Sequence, residues 1–600
     1  MEDDEMKKST FTKIFSVVFA TVLAFSVGGC DLFVLRPTPP NPKPGPRPYP
    51  LRSTRLLISN YQGGYGRAWL DNAIARFEIE YQNYEFEPGS GKKGIQLYVD
   101  SSINGKTGYT YLEGVTNTDF DLHFTEDTFY YDLIDLGAGA DITDIVVGPL
   151  MNYDETRSIE DKMDKTVKDF FGVKQGKNTS YYALPHYFTY DTLYYDVDIF
   201  DMCGLWMKAD GTFLCDDLEW MGAVYNGQVK NGEVTKEEFN LSKGIDGDNG
   251  TEFDGLPATY DEFFKLLDKM LAVGVEPIHT YGSGVPMNKL FYSAWAQNEG
   301  RESFLQTVNP TGTSNRLIAD IAEDGTPTLM PKGTAVDGKN VQAQLGKYQA
   351  LQFAKRLARG STDVPYYFHD YAFSWAENYV TSMGTYIFSK HEEEKPVAFY
   401  MADISWENFA TEAQYMDECK DLYGEGRYER KFGVLPMPFA DESYLDGNQK
   451  WTMPSSSNFS LAFINKNLET DPSKAHRLNA AKMFLQFLHT DEELQNFSVQ
   501  TSGLKPFNYD MPEKKLQDMS YYGQQIVSLV SNPNVDIVYS LSKNDEYIQH
   551  YEYFYHGQIG WGEHDLMRAF FNTPDKTVAE IFWELKTERN SAWDEFVNNT

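Results

Sequence analysis

Cysteine is scarce in this chain of 600 residues, occurring only at Cys30, Cys203, Cys215 and Cys419. No C-x-x-C pair is among them, so a structural zinc site of the usual spacing is excluded, and a chain of this length does not need disulfide staples to build a core. Cys203 and Cys215 are close enough in sequence to pair, and the sequence alone leaves that open. Positive charge is also short: 53 Lys and Arg stand against 88 Asp and Glu, a formal net charge of −35. No basic cluster relieves this acidity, which excludes nucleic acid, itself a polyanion, as a partner. The phosphate loop G-x-x-x-x-G-K-[ST], the dinucleotide turn G-x-G-x-x-G, the zinc motif H-E-x-x-H and the nucleophile elbow G-x-S-x-G are all missing. His391 opens only HEEEK, and the ten histidines are scattered. The sequence therefore calls for no metal and no cofactor. No repeat period of 20–50 residues suggests a solenoid or propeller.

What is present begins at the front. Lys7, Lys8 and Lys13 precede the apolar run IFSVVFATVLAFSV from Ile14. That order is an export signal, because the run is too short to span a bilayer comfortably. The opening Glu2-Asp3-Asp4-Glu5 is foreign to such a signal, whereas MKKST from Met6 suits it, so Met6 is the expected start. Val27-Gly28-Gly29-Cys30 resembles the bacterial lipobox, which implies cleavage before Cys30 and lipid on its sulfur. On this reading 1–29 is a signal peptide, and its removal leaves a charge of −34. Residues 30–53 then form a lipid-anchored tether. Pro37, Pro39, Pro40, Pro42, Pro44, Pro46, Pro48 and Pro50 favour polyproline II, which at about 3.1 Å per residue holds a domain roughly 40 Å from the membrane.

The remainder is long enough for about three or four ordinary domains, or for two large lobes. RLLISN (55–60) reads as a strand, and the glycine turn around Tyr61-Gln62-Gly63-Gly64-Tyr65-Gly66 leads to a helix with Leu70, Ala73, Ile74, Phe77 and Tyr81 on one face. Strand, glycine turn and helix open an α/β domain. The glycines allow close backbone approach to a ligand, and Tyr61 and Tyr65 flanking them suit a flat, weakly polar ligand such as a sugar ring. Further strands are expected at 94–99, 142–147 and 395–401, and helices at 342–357, 479–489 and 580–585. Capping boxes at Thr259 and Thr490 predict two helix starts. The acidic turn 246–254 fails the EF-hand pattern, because Thr251 stands where the required glycine should be, and it reads as solvated.

Seven stretches carry a resemblance, in chain order: the strand with GGYG and its helix, ADITD, YYALPHY…LYYDVDIFDMCGL, GTEFDGLPATYDEFF, KPVAFYMADISWE, KFGVLPMP, and FLQFLHTDEELQNF…SGLKPFNYD. Together they resemble the extracellular solute-binding proteins of family 1, the sugar-binding lipoproteins of ABC importers, over roughly Arg55 to Asp510. The resemblance implies an α/β, two-lobed, type II periplasmic-binding-protein-like fold with discontinuous lobes and a hinge. Lobe one is expected at 54–185 and 366–430, and lobe two at 190–365 and 431–600. It further implies a monomer on the outer face of a bacterial cytoplasmic membrane. Such a protein captures an oligosaccharide and delivers it to the importer's transmembrane subunits, with no chemistry performed.

Sugar rings present apolar faces and hydroxyl edges, so their sites combine aromatic plates with carboxylates, amides or backbone groups. The resemblance points to Trp406 as the stacking aromatic, with Glu407 beside it, and to Tyr61, Gly63, Gly64 and Tyr65 at the glycine turn. His186, Tyr187 and Asp191 belong to the first crossing between lobes, and Tyr281 and Trp295 are candidates from lobe two. For each aromatic the competing reading is a core residue. Two other classes stand beside the receptor: a surface adhesin without a transport role, and a glycan-active enzyme with paired carboxylates.

Overall fold

The computed structural model describes residues 53–61, 65–100, 108–126, 128–217, 236–280, 285–359, 366–368, 379–391, 395–403, 410–445, 450–455, 460–539, 541, 570 and 573–599. The expected signal peptide, nearly all of the expected tether with Cys30, and the site candidates Gly63, Gly64, Tyr281, Trp406 and Glu407 lie outside the described residues. For Asp191 only the backbone is described.

Apolar residues at strand and helix spacing set the first sheet. In β1 (Thr54–Asn60) Leu56 and Ile58 are fully buried. In α1 (Ala68–Glu80) Leu70, Ala73, Ile74 and Phe77 recur on one buried face. β2 (Ile95–Asp100), β3 (Leu122–Thr125) and the short β4 (Leu184–Pro185) follow. The stretch expected as a strand over 142–147 is instead a helical turn, Thr143–Val147. Its Ile and Val favour a strand, but the Thr143 amide donates to the Asp141 carboxylate at 2.8 Å, and the Tyr181 amide donates to the Thr143 hydroxyl at 2.9 Å. Local capping overrides strand propensity there.

A second set begins with β5 (Asp191–Asp196) and α2 (Val197–Cys203), whose first amides donate to the Asp196 carboxylate. α3 (Tyr260–Ala272) opens on the Thr259/Glu262 capping box, as the sequence predicts. β6 (Glu276–His279), α4 (Val285–Glu299), α5 (Leu345–Leu357), α6 (Tyr379–Ser389), β7 (Val397–Asp403), β8 (Phe432–Leu435) and β9 (Trp451–Pro454) continue it. Then come β10 (Leu461–Ile464), α7 (Ala475–Leu488), and α8 (Asp491–Thr501), capped by the Thr490 hydroxyl. α9 (Tyr521–Ser531), β11 (Val535–Val538) and α10 (Val578–Asn599) close the order. Among the described residues no helix is long and apolar enough to cross a membrane.

The first sheet runs β2-β1-β3-β10-β4, with β1 parallel to both its neighbours and β10 antiparallel to β3. The second runs β8-β5-β7-β6, with β5 antiparallel to β7 and β8 and β7 parallel to β6. Each sheet has its own core. Leu56 to Phe188 share one with Leu461 to Phe497, and Tyr190 to Met453 share the other with Met519 to Val538. Each fully buried Leu or Phe contributes about 1.5–3 kcal/mol, which is why each core can stand without covalent staples.

This pairing corrects the expected division of the chain. Residues 366–430 were expected with the first lobe, yet β7 bonds to β5 and β6, and Met383, Tyr386, Met416 and Cys419 pack in the second core. Residues 431–600 were expected with the second lobe, yet β10 bonds to β3, and Phe484, Leu485 and Phe497 pack in the first core. The chain changes core between Phe188 and Tyr190, between Met453 and Leu461, on either side of Leu504, between Phe507 and Met519, between Val538 and Leu541, and between Leu541 and Phe570. The crossings are laced together: Tyr190 bridges Ser455, whose amide donates to the Val538 carbonyl at 2.8 Å. Arg427 reaches from the second core's side to the Ser502 hydroxyl at 2.7 Å, at the end of α8.

Candidate functional site

β1 is the strand where the first sheet changes direction. The chain goes from β1 through α1 to β2 on one side, then returns to β3 on the other. Connections that diverge in this way leave a crevice at the carboxyl ends of the strands. A narrow pocket with room for about one water molecule lies there, lined by Asn60, Tyr61, Tyr65, Gly66, Trp69, Phe124, Thr125, Glu126, His186 and Tyr187. Gly66, at φ 66°, makes the left-handed turn that starts α1 beneath it. The Tyr61 amide donates to the Phe124 carbonyl at 2.9 Å, fixing the two strand ends that form the wall.

The aromatic lining is held by edge-to-face packing. Tyr65, 4% exposed, meets Tyr187 at 4.8 Å and 77°. Trp69 meets Phe124 and Phe497, each at 5.4 Å, and His186 at 4.9 Å. Gly503 backs Tyr65 so closely that a β-carbon there would stand 2.3 Å from the tyrosine ring. Two hydroxyls buried in this wall, those of Thr125 and Tyr187, have no hydrogen-bond partner among the described residues. Native interiors leave few such groups unpaired, so their position beside aromatic rings suits a ligand with hydroxyls and apolar faces.

Behind the wall sits Lys505, wholly buried, with its ammonium 5.2 Å from the Trp69 ring and 4.9 Å from that of Phe497. Its Nζ lies 3.1 Å from His186 Nδ1. Burial pushes the Lys505 ammonium down to about 7. Burial, and then the neighbouring Lys505, hold the His186 imidazole well below its ordinary value. Among the described residues no group of His, Cys, Asp and Glu side chains is arranged to hold a metal ion.

Of the residues singled out from the sequence, Tyr61, Tyr65, His186 and Tyr187 come together at this pocket. The Asp191 backbone starts β5 and pairs with Asp403, the last residue of β7. Trp295 is placed elsewhere: it is 1% exposed in the second core, and its indole N–H donates to Gln344 at 2.8 Å. Asn60, Trp69, Thr125, Glu126 and the supporting Lys505 were missed. Trp69 had a signal, as the first large aromatic after the glycine turn, and Lys505 lies within the SGLKPFNYD stretch.

No family model matches the chain, and no curated protein matches it. Among solved structures it is similar to a chitin oligosaccharide binding protein, at 13% identity and a TM-score of 0.47 over 90% of this chain and 99% of that one. It is also similar to the cyclic alpha-maltosyl-1,6-maltose binding protein of Arthrobacter globiformis, at 11% identity and a TM-score of 0.46 over 90% and 99%. A third is a binding protein of an ABC transporter from Bifidobacterium animalis subsp. lactis in complex with mannobiose, at 12% identity and a TM-score of 0.47 over 90% and 95%.

Proposed function

We propose that this chain is a solute receptor that binds a carbohydrate, an oligosaccharide, between two lobes and delivers it to the transmembrane subunits of an ABC importer. The observation that carries the reading is the pocket at the carboxyl ends of β1 and β3. It brings the buried rings of Tyr65, Trp69 and Tyr187 beside the unpartnered hydroxyls of Thr125 and Tyr187, groups of the two kinds that sugar sites combine. Two cores joined by several crossings support hinge closure, in which a ligand contacting both sides favours the closed state. Trp406 and Glu407, with Gly63, Gly64, Asp191 and Tyr281, are assigned to the same ligand. The receptor acts as a monomer on the outer face of the bacterial cytoplasmic membrane, held by lipid on Cys30 behind its proline-rich tether. It performs no chemistry.

The test is a thermal-shift and tryptophan-fluorescence screen of the chain from Leu51 onward against a glycan panel. A ligand at about a hundred times its dissociation constant adds about 2.7 kcal/mol to stability, which raises the midpoint by a few degrees. The expected result is a shift with one oligosaccharide class that is lost in Trp406→Ala. Silence across the panel, with a response to peptides or cations instead, overturns the carbohydrate assignment.

A further inference from the structure

Cys203 and Cys215 are both thiols here, and both are partly accessible. Cys203 is the last residue of α2, and Gly204, at φ 58°, turns the chain out of that helix. The chain then doubles back on itself. The Lys208 amide donates to the Thr212 carbonyl at 2.7 Å, Met207 bridges Phe213, and the Leu214 amide donates to the Trp206 carbonyl at 3.1 Å. The Cys215 amide closes the loop on the Gly204 carbonyl at 3.0 Å. That last bond ties Cys215 to the residue directly after Cys203, and the two side chains lie near enough to act on each other electrostatically. Both side chains also pack against the same core. Cys419 has a different setting: it is fully buried, 3.8 Å from the Arg430 guanidinium.

We propose that Cys203 and Cys215 are a redox pair, joined as a disulfide across the base of the 204–215 loop once the chain meets an oxidising environment. The co-reactant is a low-molecular-weight disulfide such as oxidised glutathione. One cysteine thiolate attacks a sulfur of that disulfide, forms a mixed disulfide and expels one small thiolate. The second cysteine thiolate then attacks the protein-bound sulfur and expels the other. Two protein S–H groups become one S–S bond, and their two protons pass to the two expelled thiolates, so the small disulfide is reduced to two thiols. Burial pushes the Cys203 thiol up to about 12 and the Cys215 thiol up to about 11. Few thiolates are therefore present near neutrality, and exchange in the folded chain is slow. Cys215, the less shifted, makes the first attack. A crosslink here removes freedom from the unfolded chain and holds the α2 exit to the loop that covers it.

Pairing in the cell rests on the exported-receptor reading, so the test has two independent arms. In the first, the purified full chain is equilibrated across a glutathione redox series, quenched with iodoacetamide under denaturing conditions and digested with trypsin. Cleavage after Lys208 puts the two cysteines on separate peptides, so a link between them shows as one species that reduction splits. The expected result is that linked species, with Cys419 alkylated throughout, and a melting midpoint several degrees lower after reduction. The midpoint of Cys203→Ser/Cys215→Ser should not respond to reductant. Full alkylation of both cysteines at every ratio, or a link involving Cys419, overturns the pairing. In the second arm the same digestion is applied to the chain recovered from the cell surface. A linked pair there supports the proposal. Two alkylated cysteines there, from a protein that pairs in glutathione, overturn the cellular pairing and leave the chemical one standing.

Discussion

Buried charge is paired with carboxylates at several places in the two cores and set against neutral groups at others. In the second, Arg430 and Asp196 are both fully buried and bond to each other, and the guanidinium also donates to the Ile387 carbonyl at 2.9 Å. Glu299, pushed up to about 7 by burial, accepts from the Gly346 amide at 2.7 Å and lies 3.6 Å from Arg316. In the first core, Lys162 is likewise held by Glu155 and Asp491. Lys505 departs from this pattern: among the described residues its ammonium has only the His186 ring nitrogen and two aromatic faces. A buried charge with a carboxylate partner has its desolvation cost partly offset, whereas one set against neutral rings does not. At Lys505 that cost falls beside Trp69 and His186, which line the pocket.

The comparison breaks most visibly at the scaffold pair. Arg430→Met leaves Asp196 buried beside an apolar side chain and is expected to cost about 3–5 kcal/mol in chemical denaturation. A loss below about 1 kcal/mol would mean that the pair is not the anchor described here. Next in size is Gly503→Ala, whose new methyl meets the Tyr65 ring. Overpacking of this kind costs about 1–3 kcal/mol, and because Tyr65 lines the pocket, ligand affinity should fall with stability. A variant of normal stability and affinity would place Tyr65 outside the site.

Lys505→Met sharpens the contrast through pH. The folded lysine titrates at about 7 against an ordinary 10.5. Between those values the unfolded chain binds the extra proton, so wild-type stability from this group rises with pH. The burial cost is whole below pH 7 and fades toward 10.5. The variant should therefore gain most over wild type at pH 6 and progressively less at pH 8 and 9.5, read as the difference in melting midpoint. A difference that does not change with pH would contradict the buried, partly neutral lysine. The smallest effect is expected from Tyr187→Phe, which removes one of the two unpaired hydroxyls and leaves the ring. Stability should hold, while affinity for the glycan found in the panel should drop by roughly fivefold, the value of about 1 kcal/mol for one hydrogen bond. Unchanged affinity would remove the hydroxyl from the site.

Local signals in the sequence were clear enough to read. The Thr259 and Thr490 caps start helices where predicted, and β1 and α1 follow their apolar spacing. Pairing between distant segments was not readable, because VAFYM (397–401) and LAFI (461–464) are equally apolar. Nothing within either stretch says which sheet it joins, and the two were expected the wrong way round. Thr143–Val147 misled for the opposite reason: its β-branched run hides the Asp141 cap. At the site, the short aromatic segments around Tyr65 and around His186 and Tyr187 could be picked out as candidates. Thr125 and Lys505 could not, since a lone hydroxyl or lysine gains meaning only from what packs against it. Trp295 shows the converse, a large aromatic that looked available and proved to be core.

The central claim is that a carbohydrate draws the two lobes together, and small-angle X-ray scattering of the chain from Leu51 onward, with and without saturating oligosaccharide from the panel, tests it most directly. The account predicts a smaller radius of gyration with ligand, and a weaker response in Tyr187→Phe at the same concentration. An unchanged radius in a protein that demonstrably binds the glycan would contradict the receptor mechanism and favour a surface adhesin that holds its glycan without closing.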